Sequence, residues 1–434
     1  MRFILLFFVL MLFACGEGAY SSGSYSDDLE LNYNYMLLRA FFYRPERIKD
    51  YSEYKGMEVD SMYSSLNDIL KGGRYTYYLP PSKADDKIHD MQNTPKYYSF
   101  GFERDTLIKD TLVVTAVYPI SPAASVLKKR DKLLYANEIS LTGADAKKYL
   151  KTDSLFAAST EFTVLRNGKE EVLLAIQKAE VQEPTVYLDS LDGYNIPFIT
   201  VTQYKHVTND PNGTYAEFKN VLQEIKGAKT AIMDLRRNPG GSIYHCTAMA
   251  AELAPLNSEL VYDVEHYYDK LRGNVIDTVR YFASDFLESE GDGVDIKWIV
   301  LISGGSASCA ERFAVALRSS RPETVIIGQT SFGKGIGQIY TKTYLGGLAY
   351  ITCLQSFYPN GDPFHIIGVE PDILTNPNDP NETLMAALQA AQSFDPDLAR
   401  RSPIPFSLGL SNLPPERKAA EIEPGMYKEF ISTF

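Results

Sequence analysis

The chain has 434 residues, 45% of them hydrophobic, and its 55 acidic against 43 basic side chains leave a formal net charge of −12. That length supplies two or three hydrophobic cores, and the acidic balance argues against a nucleic-acid partner, which would need a basic face. With Cys15 set aside, Cys246, Cys309 and Cys353 are an odd number in apolar segments, and the five histidines show no metal-binding pair at helical spacing; neither a disulfide framework nor a cofactor is expected.

At the N-terminus, Met1-Arg2 precedes an apolar run from Phe3 to Phe13, which has the length of an export signal and is too short to span a bilayer comfortably. It ends in Leu12-Phe13-Ala14-Cys15, which resembles the bacterial lipobox. The resemblance implies a signal peptide over residues 1–14, lipid on Cys15 holding the chain to a membrane of the cell envelope, and a tether over 15–30. An ordinary secretory signal with a cysteine nearby is the alternative, and either one places the chain outside the cytoplasm. From Leu31 to about Leu70 the pattern is helical, with Tyr35, Leu38, Phe41 and Phe42 on one face and Met62, Leu66, Ile69 and Leu70 on another. We expect a helical unit over 31–94, ended by Gly72-Gly73 and Pro80-Pro81, whose apolar stripes pack against the rest of the chain.

Residues 95–181 carry Ser99-Phe100-Gly101-Phe102, then Ser121-Pro-Ala-Ala124, Leu127 and Asp131, a pattern that resembles a PDZ domain. The resemblance implies that an extended C-terminal peptide pairs with a strand edge while backbone N–H groups around Ser99, Phe100, Gly101 and Phe102 hold its carboxylate. Arg130 and Glu138 stand where that pattern usually has glycine; a spacer domain that only covers the active site is the alternative. After a polar linker near Gln182 to Asp192, Tyr194 to Thr202 opens a third unit, over 182–400, of alternating strands and helices. Phe218, Leu222 and Ile225 mark a helix; Ala231 to Leu235 is a strand, and the Pro-Gly-Gly turn after it lets a backbone N–H approach a ligand closely. Arg236 and Asn238 suit bracing that turn. Thr383 to Gln392 is a closing helix, and residues 401–434 form a Pro-rich tail.

The chemistry concentrates in two segments of this third unit. Trp298 to Ile302 is a short buried strand, Ser303 to Ala307 a turn, and Ala310, Phe313, Ala314 and Leu317 repeat at helical spacing. Ser308 thus sits at a strand-to-helix corner, where the helix's unpaired N–H groups favour an oxyanion. Ser308-x-x-Glu311 is also a capping box, so the serine could instead serve its helix. A serine becomes nucleophilic when a base takes its proton, and a lysine is that base only when neutral. Lys334, Ile336 and Gln338 have the spacing that shares one strand face; burial lowers the amine's pKa, and Gln338 orients it without adding charge. Gly328 to Lys334 imitates a phosphate-binding loop, but Gly335 replaces its final Ser or Thr and an extended segment follows instead of a helix.

Taken together, Asp234-Leu-Arg236-Arg-Asn238-Pro-Gly240-Gly241, Gly305-Ser-Ala-Ser308-Cys-Ala-Glu311, Phe332-Gly-Lys334-Gly with Gln338, Tyr358-Pro-Asn-Gly361 and Gly368-Val-Glu-Pro-Asp372 resemble the C-terminal processing peptidases, or tail-specific proteases. The resemblance covers roughly residues 95 to 395. It implies a multidomain α+β chain: an N-terminal helical unit, a PDZ-like β-rich domain and an α/β crotonase-like core. It further implies a serine endopeptidase acting on proteins or peptides with accessible C-termini, with Ser308 as nucleophile, Lys334 as base, Gln338 orienting it, and an oxyanion hole from Gly240 or Gly241 together with Cys309. Ala310 and Gln329-Thr330-Ser331 depart from the family pattern without removing a reacting atom. Two other classes compete: a non-catalytic envelope binding protein, and a small-molecule hydrolase with His245 as base.

Overall fold

The structure, a computed structural model, describes residues 22–66, 75–108, 111–150, 153–173, 175–191, 196–269, 271–396 and 398. The expected signal, Cys15 and the 401–434 tail lie outside the described residues.

Helices α1 (Ser22–Phe41), α2 (Tyr51–Tyr54) and α3 (Val59–Leu66) are followed by the short strand β1 (Tyr77–Leu79) and helix α4 (Pro81–Gln92). Two boundaries differ from expectation. Helix α1 already begins at Ser22, inside the segment expected to be a tether. Pro81 opens a helix instead of ending the unit, because at the first helical position its missing N–H costs no hydrogen bond.

The β-rich unit follows, with β2 (Lys96–Ser99), β3 (Phe102–Ile108), β4 (Thr111–Val117), β5 (Lys132–Ala136), β6 (Ile139–Ser140), β7 (Ser159–Thr160), β8 (Phe162–Arg166), β9 (Lys169–Val172), β10 (Ile176–Gln177) and β11 (Ala179–Gln182). Its main sheet runs β3-β4-β5-β8-β9, while β2 pairs with β11 and so brings both ends of the unit together. Phe100, Phe102, Leu112, Val114, Leu133, Phe162 and Val164 form its own core. Of the two positions that usually hold glycine, Arg130 does adopt the left-handed region at φ 73°, whereas in the later turn that conformation falls to Asn137 at φ 51°, one residue before Glu138.

The third unit contains β12 (Val186–Leu191), β13 (Ile196–Val201), α5 (Gly213–Glu224), β14 (Thr230–Asp234), α6 (Ile243–Ala251), β15 (Glu259–Asp269), β16 (Gly273–Phe282), β17 (Lys297–Ile302), α7 (Cys309–Ser320), β18 (Val325–Gly328), β19 (Ile336–Lys342), β20 (Leu348–Phe357), β21 (Ile373–Leu374) and α8 (Pro380–Phe394). The expected polar linker is a correction, since β12 occupies most of it: Val186 and Leu188 turn into the core of this unit while Tyr187 on the opposite face meets Glu103 of the β-rich unit, and the strand pairs antiparallel with β13 at the sheet edge. The sheet runs β12-β13-β14-β17-β18-β21, parallel from β13 onward.

Alternation along these strands divides the core. Ile199, Val201, Ala231, Met233, Val300 and Ile302 face helices α5 to α7 through Phe218, Leu222, Met249, Phe313 and Leu317. Their neighbours Phe198, Ile232, Ile299 and Leu301 face Leu384, Ala387, Leu388 and Ala391 of α8. Burial on both faces explains the continuous apolar run at Trp298–Ile302, since no residue of such a strand meets water.

A second sheet, β1-β20-β15-β16 with β19 on β20, carries the N-terminal helices through Leu31, Leu37, Leu38 and Phe42 against Ala349 and Ile351. It is tied to α7 by a buried ion pair. Arg312 donates to Asp263 Oδ1 of β15 at 2.5 Å, to Ser356 Oγ of β20 at 2.9 Å and to Thr247 Oγ1 of α6 at 2.9 Å. The paired side chains are 3% and 0% exposed, so removing one partner strands the other charge. Asp263→Ala is expected to lower the unfolding free energy by roughly 3–5 kcal/mol, read by urea denaturation.

Candidate active site

Ser308 stands between the Ser303–Ala307 turn and α7, with φ 58° and ψ −116°. That left-handed conformation is costly for a serine and persists only where surrounding structure imposes it. The imposed contacts are identifiable: Ala307 N–H donates to Asn238 O at 2.9 Å, and Ser306 Oγ donates to Leu235 O at 2.7 Å. The strand-to-helix corner is therefore stitched to the end of β14. Only half of the expected capping box forms. Glu311 accepts the Ser308 N–H at 2.8 Å, but the Ser308 side chain makes no cap bond, which leaves the hydroxyl for another partner.

That partner is Lys334, whose Nζ lies 3.3 Å from Ser308 Oγ, 2.9 Å from Gln338 Oε1 and 3.3 Å from Ile336 O. The geometry differs from simple strand alternation: Lys334 precedes β19, which begins at Ile336, and the register with β20 shifts between Gly337 and Gln338. Such a shift re-aims a side chain, here bringing Gln338 onto the amine. Gln338 Nε2 reaches Ile336 O at 3.5 Å and Thr352 Oγ1 at 3.4 Å, which leaves its carbonyl facing the lysine. Burial holds the Lys334 amine down to about 8, against the pull of nearby Cys309 and Glu311 toward the charged form. Gly328 to Gly335 leads into a strand, not a helix, so the apparent phosphate loop lacks the helix N-terminus that such a loop needs.

Between the two candidate glycines, the backbone donors separate. Gly240 N–H is spent on Asn238 Oδ1 at 2.8 Å, whereas the N–H groups of Gly241 and Cys309 find no acceptor among the described residues. A Cβ on Gly240 would lie 2.7 Å from Ser308 Cβ and 3.0 Å from Cys309 N, so the turn packs directly on the serine corner and tolerates no side chain there. The Cys309 thiol is buried and donates to Gly241 O at 3.2 Å, tying the carbonyl side of Gly241 to the start of α7. Asn238 braces the turn as expected, with Nδ2 on Val201 O at 3.0 Å; Arg236 grips Asp234 of β14 instead.

Sequence reasoning undervalued two residues. Glu311, read only as a capping partner, is 1% exposed and accepts from Ser331 Oγ at 2.6 Å, Gly333 N at 2.6 Å and Lys334 N at 2.7 Å besides Ser308 N. Burial pushes its carboxyl up while these donors pull it down. Its signal was the E of the S-x-x-E spacing, which cannot show a contact 20 or more residues away. Tyr75, from the N-terminal unit, places its ring 5.0 Å from Lys334 Nζ, and no local pattern announces that.

The remaining expected residues lie elsewhere. Ser99, Phe100, Gly101 and Phe102 form the turn between β2 and β3 in the β-rich unit, not part of the Ser308 cluster. His245 accepts the Tyr215 N–H on Nδ1 at 3.1 Å and meets His206 at 3.3 Å through Nε2; burial, aided by His206, pushes its pKa down to about 4. Both nitrogens are engaged away from Ser308, whose hydroxyl faces Lys334. Glu311→Gln would turn part of a four-fold acceptor into a donor aimed at N–H groups. It is expected to destabilise the fold by about 2–4 kcal/mol in urea titrations, whereas Gln338→Ala, at a partly exposed position, stays within about 1 kcal/mol.

Residues 195–375 match the family model described as Peptidase family S41. A probable CtpA-like serine protease of Staphylococcus haemolyticus is 23% identical over 347 residues, covering 79% of this chain and 64% of that protein. The carboxy-terminal processing protease CtpA of Bacillus subtilis is 24% identical over 364 residues, covering 82% of this chain and 71% of its own. The chain therefore spans only about two thirds of the length of these curated relatives. Among solved structures, a photosystem II D1 C-terminal processing protease is 18% identical with a TM-score of 0.47, covering 82% of this chain and 96% of that one. The segment that matches the Peptidase family S41 model holds Ser308, Lys334, Gln338 and the Gly240-Gly241 turn, so every candidate catalytic group lies inside that match.

Proposed function

We propose that this chain is a serine endopeptidase that cleaves protein substrates near their C-termini, with Ser308 as nucleophile and Lys334 as general base. The observation that carries this reading is the amine 3.3 Å from the serine hydroxyl, lowered by burial to about 8 and oriented by a neutral amide. In its neutral form the amine accepts the Ser308 proton as Oγ attacks the scissile carbonyl. Charge on the carbonyl oxygen then falls to the Gly241 N–H in the turn before α6 and the Cys309 N–H at the start of α7. Lys334 returns the proton to the leaving amine, forming the acyl-enzyme, and next takes a proton from the water that hydrolyses it.

In this reading the core is crotonase-like, the β-rich unit is a PDZ-like domain that docks substrate tails at the Ser99–Phe102 turn, and lipid on Cys15 anchors the chain in the cell envelope. The Leu12-Phe13-Ala14-Cys15 spacing supports the anchor. Its test is metabolic labelling with a fatty-acid analogue, where Cys15→Ala is expected to lose the label; label retained on that variant defeats the assignment.

Incubation with a flexible protein, with fragments read by mass spectrometry, tests the chemistry. Ser308→Ala and Lys334→Ala are each expected to cut kcat/KM by at least ~100-fold, and wild-type rate from either defeats the proposal. A protein that binds the substrate but produces no fragments is instead a binding module. Because the neutral amine is the active form, kcat/KM should rise with pH through about 8. Gln338→Glu places a negative charge on the amine, favours the ammonium and should move that rise to higher pH.

A further inference from the structure

The turn between β2 and β3 has the parts of a carboxylate site. Among the described residues β3 pairs only with β4, so its other edge is open for an added strand. Gly101 at φ 80° lets the chain reverse there, and a Cβ on it would lie 2.2 Å from Ser121 Cβ. The donors of this turn are already engaged. Gly101 N–H donates to Ser99 Oγ at 3.0 Å, and Phe100 N–H donates to a carboxylate oxygen, Asp153 Oδ2, at 3.1 Å.

The other oxygen of Asp153 accepts from Arg104 Nη1 at 2.7 Å. Arg104 is 4% exposed and lies on β3 where the register shifts between Glu103 and Arg104; the bulge turns its side chain off the ladder. Its Nε donates to Tyr149 O, and its guanidinium lies 5.1 Å from the rings of both Phe102 and Phe156. Lys178 Nζ pins the same segment through Asp153 O at 2.6 Å and Phe156 O at 2.8 Å. Tyr149 and the segment 153–156 are thereby drawn toward β3, with the Asp153 carboxylate held by a backbone N–H and a buried guanidinium. That is the chemistry with which proteins hold a peptide's terminal carboxylate.

We propose that Asp153 is an internal stand-in for the C-terminal carboxylate of a substrate and that Arg104 is the cation that receives that carboxylate. A tail docks by displacing Asp153 from Arg104 and Phe100 N–H, so Asp153 sets the affinity threshold for tail capture. This rests on the reading that tails dock at this turn. An intramolecular competitor acts at millimolar effective concentration or above, so its removal raises apparent affinity for a free tail.

Binding is measured on the full chain carrying Ser308→Ala, which prevents cleavage, by fluorescence anisotropy. The probes are a labelled ten-residue peptide with an apolar terminal residue and a free carboxylate, and its C-terminally amidated twin. Adding Asp153→Asn is expected to tighten binding of the free-carboxylate peptide at least ~10-fold with no gain for the amidated one, and Arg104→Gln is expected to abolish the preference. In the chain with Asp153 intact, saturation with the free peptide should raise hydrogen exchange over residues 149–156. A folded Asp153→Asn chain that binds like its parent overturns the proposal. If that variant does not fold, unchanged exchange over 149–156 at saturation overturns it. A chain that never distinguishes free from amidated tails overturns docking at this turn, and the role of Asp153 with it, while the Ser308 and Lys334 chemistry stands or falls on the fragment assay alone.

Discussion

The buried carboxylate of Glu311 fixes the relation between the two segments on which any chemistry at Ser308 depends. One oxygen accepts from Ser331 Oγ and Gly333 N, and the other accepts from Ser308 N and Lys334 N. A carboxylate out of water is tolerable only when its lone pairs are filled. Its burial therefore enforces the approach of the serine corner to the lysine loop. The next residue in α7, Arg312, makes the complementary demand through Asp263 and Ser356 of the second sheet. Two successive buried charges thus hold α7 against the lysine loop on one side and against β15 and β20 on the other.

That scaffold decides the electrostatics of Lys334. Gln338 supplies a carbonyl without a negative charge, so desolvation prevails and the amine is pulled toward neutrality. An acid there would restore the ammonium. The surroundings come from three parts of the chain: β19 brings Gln338, β20 brings Thr352, and the N-terminal unit brings Tyr75, while Thr76 bonds to Thr352 at 3.0 Å. The helical N-terminus is accordingly part of the wall of the site and not an appendage to it.

The β-rich unit shows the same economy of polar groups. Its Phe100 N–H and Arg104 Nη1 both donate to Asp153, because an unpaired buried cation would be expensive. In the Gly240-Gly241 turn the division is different. Asn238 takes the first N–H, and the second faces no acceptor among the described residues, the condition that the proposed stabilisation of transient charge requires.

Much of the layout was legible in the chain because it rests on local periodicity. The apolar run Trp298–Ile302, the helical repeat from Ala310 to Leu317 and the Pro-Gly-Gly turn each mapped onto the expected element. The errors fell where local pattern is ambiguous: a strand at 186–191 whose polar alternate residues resembled a linker, and a helix opened by the proline expected to end one. The sequence by itself determined which residue types were present for acyl transfer, a serine at a helix start, a lysine and an amide nearby, with glycines in a turn. Only the tertiary structure decided that Ser308 Oγ is not spent on its cap, that the Gly240 N–H is taken by Asn238 while that of Gly241 meets no acceptor among the described residues, and that Asp153 occupies the Phe100 turn. Each of these depends on which of several competent partners, distant in sequence, reaches a donor first, and chain closure settles that where composition cannot.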